Sequence, residues 1–194
     1  MIKVGLLPIG TFTDNFLKQV VRGLDQLMPE IALLTAEKSY PSKAKESSSG
    51  QFAATEFLEK ARGFEGAKIL ALTDVDLYGY NEDGRRYSFL FGLAEFGGKA
   101  AVVSTFRLQA ASGEKFLDRV VKEGIHELGH TLSLTHCTDA ACIMSFADEV
   151  FQIDARNGFF CQRCRGILRR MNPGEAAFYR KLSEVGWTGS PRTA

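Results

Sequence analysis

No apolar run in this 194-residue sequence approaches the roughly 20 residues a helix needs to cross a bilayer, so no membrane partner is expected. No charge of one sign dominates. The 24 Lys and Arg against 23 Asp and Glu leave a net +1, which offers little to nucleic acid or to an anionic surface. No stretch repeats, and the one low-complexity segment, Ser42 to Gln51 ("SKAKESSSGQ"), reads as a loop. No small-residue cleavage site follows the apolar start "MIKVGLLPIGTFTDNF", where Pro8 and polar residues soon intervene. It therefore reads as a first β-strand and not a signal peptide. The expectation is a cytoplasmic monomer, in a compartment that keeps thiols reduced. A composition 45% hydrophobic and 24% charged suits one globular domain with a substantial core.

The patterning alternates strand and helix. "IKVGLLPI" is a buried strand ended by Pro8 and Gly10. The stretch from Asp14 to Met28 is an amphipathic helix with Asp14 placed to cap it, and "IALLTAEK" is a second strand. "QFAATEFLEKARGF" makes a second helix closed by Gly63, and "AKILALTDVDLY" a third strand. "YSFLFGLAEF" and "KAAVVSTFRL" are joined by Gly97-Gly98, a hairpin signal, so they are expected to run antiparallel. This order implies an α/β (α+β) fold with a mostly parallel twisted sheet, helices packed on it and one antiparallel strand. An N-terminal lobe of about residues 1–135 is expected. A smaller lobe follows, with helices near 160–171 and 174–186.

Histidine is the scarcest useful residue. The chain has three, and all fall within His126 to His136. "EKFLDRVVKEGIHELGHTLSL" reads as one helix with Ser112 as N-cap. Leu117, Val120, Val121, Gly124, Ile125, Leu128 and Leu132 form one apolar stripe, with His126 and His130 on roughly the opposite face. Two imidazoles one turn apart, with Glu127 between them, are what H-E-x-x-H uses to hold zinc beside a carboxylate. The motif alone also arises by chance in helices. A third histidine ten residues beyond the first, and none elsewhere, shifts the balance to a ligand set. Three imidazoles leave one coordination position open, which is the catalytic pattern. His136 can join them only if the chain leaves the helix and doubles back.

The four cysteines, Cys137, Cys142, Cys161 and Cys164, are confined to the next stretch. In a reducing compartment two close thiol pairs suit a closed four-thiolate zinc site. A redox role for Cys161 and Cys164 is the competing reading.

His126-Glu127-x-x-His130-x5-His136 resembles the extended zinc signature of the metzincin metallopeptidases. Cys137-x4-Cys142-x-Met144 with Cys161-x-x-Cys164 is similar to the archaemetzincins in particular. The resemblance implies a metzincin-like N-terminal lobe with a twisted mixed sheet and active-site helix, and a small zinc-stabilised helical C-terminal lobe. It implies a zinc-dependent peptidase acting on peptides or proteins. His126, His130 and His136 would hold the catalytic zinc, Glu127 would be general base and Met144 the Met-turn. The four cysteines would hold a second, structural zinc. It also implies that the antiparallel strand near Phe89 to Ala94 edges the cleft. The family's glycine three residues after the second histidine is here Ser133, which would carry a positive φ at a cost of about 1 kcal/mol.

Other features have blander readings. Arg163, Arg165, Arg169 and Arg170 make a solvated helix face, and Asp74 and Asp76 a solvated loop. An aminopeptidase-like preference would need a carboxylate for the substrate amine, Glu95 or an aspartate. The alternative function is a catalytically silent zinc protein that binds peptides in the same cleft, although a mere binder has no need of Glu127.

Overall fold

A computed structural model describes residues 2–174 apart from 29, 38, 46–47, 67 and 82, together with Phe178. The opening apolar run is strand β1 (Val4–Ile9), every residue of it buried. Helix α1 (Asp14–Asp25) follows, but its N-cap is Thr13, whose hydroxyl accepts from the Phe16 amide, and not Asp14. Both residue types cap well, and Thr13 is the one with extended φ and ψ. Asp14 instead sits in the first turn, where its charge favours the helix dipole.

Strand β2 (Ile31–Leu33) is shorter than its apolar run suggests. Strand β3 (Phe52–Ala53) leads into α2 (Ala54–Arg62), with Gly63 at its C-cap. The long third strand divides: β4 (Lys68–Thr73) belongs to the main sheet, whereas β5 (Leu77–Tyr78) pairs with β3 in a separate two-stranded sheet. Asp74 and Asp76, between β4 and β5, are bound within the fold. Asp74 accepts from the Tyr40 hydroxyl at 2.8 Å and the Thr11 amide at 3.0 Å, and Asp76 accepts from Arg107 Nε and Nη2, each at 2.7 Å.

Strands β6 (Gly92–Ala94) and β7 (Ala100–Ser104) are antiparallel, as their glycine turn implies. The main sheet runs β2-β1-β4-β7-β6, parallel except for β6 at one edge. Its two faces fill two cores. One is closed by α2, the other by α1 and the long helix α3 (Gly113–Thr131). Ser112 caps α3 by accepting from the Lys115 amide, and the whole apolar stripe is buried. The helix ends three residues earlier than its apolar pattern suggests.

Beyond it come α4 (Val150–Ala155) and α5 (Gln162–Met171). The six-residue α4 leaves little periodicity to read, and a glutamine fixes its start: Gln152 Oε1 accepts from the Glu149 amide at 2.8 Å. Arg119 of α3 ties α4 down through Asp154. The helix expected near 174–186 lies, apart from Gly174 and Phe178, outside the described residues. No described helix is long and apolar enough to cross a membrane.

Candidate active site

The end of α3 decides where the third histidine goes. Ser133 has φ 68°, in the left-handed region that closes helices, and the Leu134 amide donates back to the Gly129 carbonyl at 3.0 Å. The chain thus turns under the helix and brings His136 to His126 and His130. Serine stands where glycine would be unstrained, so Ser133→Gly is expected to be neutral or to stabilise by up to about 1 kcal/mol in denaturant melts. A clear loss would show that the turn depends on the hydroxyl.

Each helical histidine is oriented by a carbonyl. His126 Nδ1 lies 2.8 Å from the Ile143 oxygen and His130 Nδ1 2.7 Å from that of Leu134. A carbonyl only accepts, so both Nδ1 atoms carry the proton and both Nε2 atoms present lone pairs. Those two Nε2 atoms are 3.1 Å apart. Two neutral acceptors have nothing to share at that distance; a cation between them resolves the contact. Ligand nitrogens around a tetrahedral zinc stand roughly 3.3 Å apart, given bonds of about 2.0 Å. One ligand atom from each of the three histidines falls within a 4.8 Å cluster. Burial holds all three imidazoles below their usual pKa, His136 at about 4, which keeps them in the neutral form that binds metal.

Met144 is fully buried, its sulfur against the backbone of Gly129, the residue before His130. A Cβ on Gly129 would come 2.4 Å from that sulfur, so the helix can rest on Met144 only because glycine separates Leu128 from His130. Glu127 is 4% exposed beside the ligands. Burial raises its pKa well above the usual carboxylate range; Glu123, one turn earlier, adds to this and Arg156 opposes it.

The cysteines form a second cluster. Cys137 and Cys161 sulfurs are 3.7 Å apart, Cys142 and Cys164 sulfurs 3.8 Å. Disulfide sulfurs stand about 2.05 Å apart, whereas the edge of a tetrahedron with roughly 2.3 Å metal–sulfur bonds is about 3.8 Å. The spacing fits a shared ion. Cys142 is pushed down to about 5 because the Cys164 thiol donates to it, as does the Cys161 amide; that same donation holds Cys164 well above the ordinary thiol range. The two clusters are neighbours in sequence, since His136 and Cys137 are adjacent.

A cleft of about 330 Å³ opens over the histidines. Edge strand β6 forms one wall and residues 146–148 the other, with Phe146 packed edge-on to the His136 ring at 5.2 Å. Gly92 of β6 touches Glu127: a Cβ there would lie 2.6 Å from Oε1. Glu123 and Arg156 also line the cleft, and the Arg156 Nη1 donates to Glu123 at 2.7 Å. Sequence reasoning missed Gly92, Glu123 and Arg156. Of these only Glu123, one helical turn before Glu127, had a readable signal. Glu95 does not line the cleft; its carboxylate is bound by Arg62 and by the amides of Lys99 and Ala100. Asp148 is an exposed carboxylate on the cleft wall.

A model of peptidase family M54 matches residues 15–170. The chain is 36% identical to archaemetzincin of Natronomonas pharaonis over 172 residues, covering 84% of this chain and 96% of that protein. It is also 36% identical to archaemetzincin of Methanopyrus kandleri over 169 residues, 86% of this chain and 91% of the other. Among solved structures, the 1.5 Å crystal structure of the M. kandleri protein superposes with a TM-score of 0.78 at 33% identity, covering 89% of this chain and 96% of that one. Archaemetzincin from Archaeoglobus fulgidus, complexed with malonate, gives 0.74 at 31% identity, with 86% and 99% covered.

Proposed function

The chain belongs to peptidase family M54, and from that premise we propose that His126, His130 and His136 hold its catalytic zinc and that Glu127 is the general base. It is a zinc metallopeptidase with peptide or protein substrates. The observation that carries the site assignment is the pair of deprotonated Nε2 atoms facing each other at 3.1 Å, each ring locked by a carbonyl on its far side. Zinc bound there supplies Lewis acidity, polarising a scissile carbonyl and making water a competent nucleophile near neutral pH.

The protein's own part is positioning and proton transfer. Glu127, shielded from bulk water and carried by the same helix as two ligands, takes a proton from the attacking water and gives it to the leaving amine. Its raised pKa brings it nearer the pH at which it must do both. Edge strand β6 offers unpaired backbone groups to an extended substrate. Met144 is the Met-turn floor, and Cys137, Cys142, Cys161 and Cys164 hold a second, structural zinc. An aminopeptidase-like preference would rest on Asp148 as the group that holds a substrate amine. The chain acts as a single catalytic domain, monomeric and cytoplasmic.

Two expected results follow. Metal analysis should find two zinc ions per chain. Graded chelation should remove the one at the half-open histidine site first, with activity, while circular dichroism stays unchanged. Loss of both ions together with the fold would contradict this division.

Gly92→Ala should fold and bind zinc yet lose about tenfold or more in kcat, because its methyl group displaces the Glu127 carboxylate. Undiminished kcat would mean that the position of Glu127 is not critical.

A further inference from the structure

Most of the cleft wall is apolar, built from side chains such as Phe89, Phe91, Leu93 and Phe146. Among its polar groups is a buried salt bridge that the reaction does not use. Glu123 and Arg156 line the cleft with side chains 5% and 1% exposed, joined at 2.7 Å. Stability does not call for such a pair. Burying two charges loses as much solvation as their attraction returns, and apolar residues of similar volume commonly serve the fold as well.

The pair is also incompletely satisfied. Arg156 donates three hydrogen bonds: Nη1 to Glu123 Oε2, Nη2 to the Ser145 carbonyl at 2.7 Å, and Nε to the Ser145 hydroxyl at 3.3 Å. A guanidinium has five N–H groups, so one on each Nη has no acceptor among the described residues. Glu123 Oε1 likewise has no donor among them. Donors and an acceptor thus border an apolar cleft beside Glu127, the arrangement by which a few placed polar groups orient a ligand.

We infer that the Glu123–Arg156 pair is a specificity element that selects a substrate residue with a carboxamide side chain, glutamine or asparagine, next to the scissile bond. This rests on the peptidase reading above. A carboxamide carries an acceptor for Arg156 and a donor for Glu123 on two separate atoms of one planar group. A carboxylate would answer Arg156 but meet Glu123 and Glu127, and an ammonium group would answer Glu123 but meet Arg156. An apolar side chain would leave the pair's open hydrogen-bonding positions unanswered while shutting solvent out.

The test uses the zinc-loaded protein and a peptide set in which each position in turn carries Gln, Leu, Glu or Lys. Cleavage is followed by mass spectrometry, and binding to Glu127→Gln by calorimetry. Peptides with Gln beside the cleaved bond should exceed their Leu, Glu and Lys counterparts by about tenfold or more in kcat/KM and in affinity for the inactive variant. In the double variant Glu123→Leu, Arg156→Met, with parental zinc content, Leu should overtake Gln. Should that variant not fold, Glu123→Gln serves instead, and there the Glu peptide should gain on Gln. A parent that prefers Leu, or variants that keep the parental order, overturns the inference and leaves the peptidase reading standing. A parent that neither cleaves nor binds any peptide overturns both.

Discussion

Glu127→Gln should fold, retain both zinc ions and bind peptides about as well as the parent, yet hydrolyse them at least two orders of magnitude more slowly. Glutamine keeps the size of the side chain and its acceptor oxygen, so the contact with Gly92 survives. What it loses is the ability to take a proton, and a positioned general base contributes about 10²–10⁴-fold. The loss should fall on kcat with little change in KM, as expected of a group that acts only when the proton moves. A variant that cleaves as fast as the parent would exclude Glu127 as base. One that loses zinc would instead make it a ligand.

A larger effect is expected from the thiolate cluster, although it touches no substrate. Cys164→Ser should abolish zinc binding at both sites, whereas His136→Ala should cost one ion. The asymmetry follows from the chain path. Cys142 directly precedes Ile143, whose carbonyl lies against His126 Nδ1, and Met144, whose sulfur packs on Gly129; Cys137 directly follows His136, and its amide donates to the Met144 carbonyl at 2.8 Å. These residues belong to a stretch with little regular structure, which the four sulfurs close. Structural zinc sites supply apparent free energies of about 10–16 kcal/mol, comparable to the whole stability of a domain. Metal analysis with amide exchange reads the outcome: rapid exchange from about residue 134 to 165 with the main sheet protected. Cys164→Ser with a fully occupied, active histidine site would contradict the dependence.

The two clusters that could hold metal were legible because coordination demands particular residue types at particular spacings, and this chain has few histidines and cysteines to mislead. The helix that carries His126 and His130 was legible from its apolar stripe and Ser112. Its end was less so. Leu132 and Leu134 continue an apolar pattern, and only the serine in a position that suits glycine hinted at the turn. The hairpin of β6 and β7 followed from Gly97-Gly98, whereas the β3–β5 pair did not, because strands of two residues show no alternation. The Glu123–Arg156 salt bridge joins residues 33 apart on different elements, a contact no local period encodes. The closeness of Gly92 to Glu127 is of the same kind, set by how tightly an edge strand lies on a helix.

The most direct test of zinc-dependent peptide hydrolysis at the histidine cluster is a screen of the purified zinc form against a diverse peptide library, with the new ends identified by mass spectrometry. It is run beside His136→Ala. The parent should generate new ends. Removal of the more labile zinc should stop cleavage, its return restore it, and His136→Ala should generate none while keeping one zinc. A parent that cleaves nothing, or cleavage that persists in His136→Ala, would contradict the account.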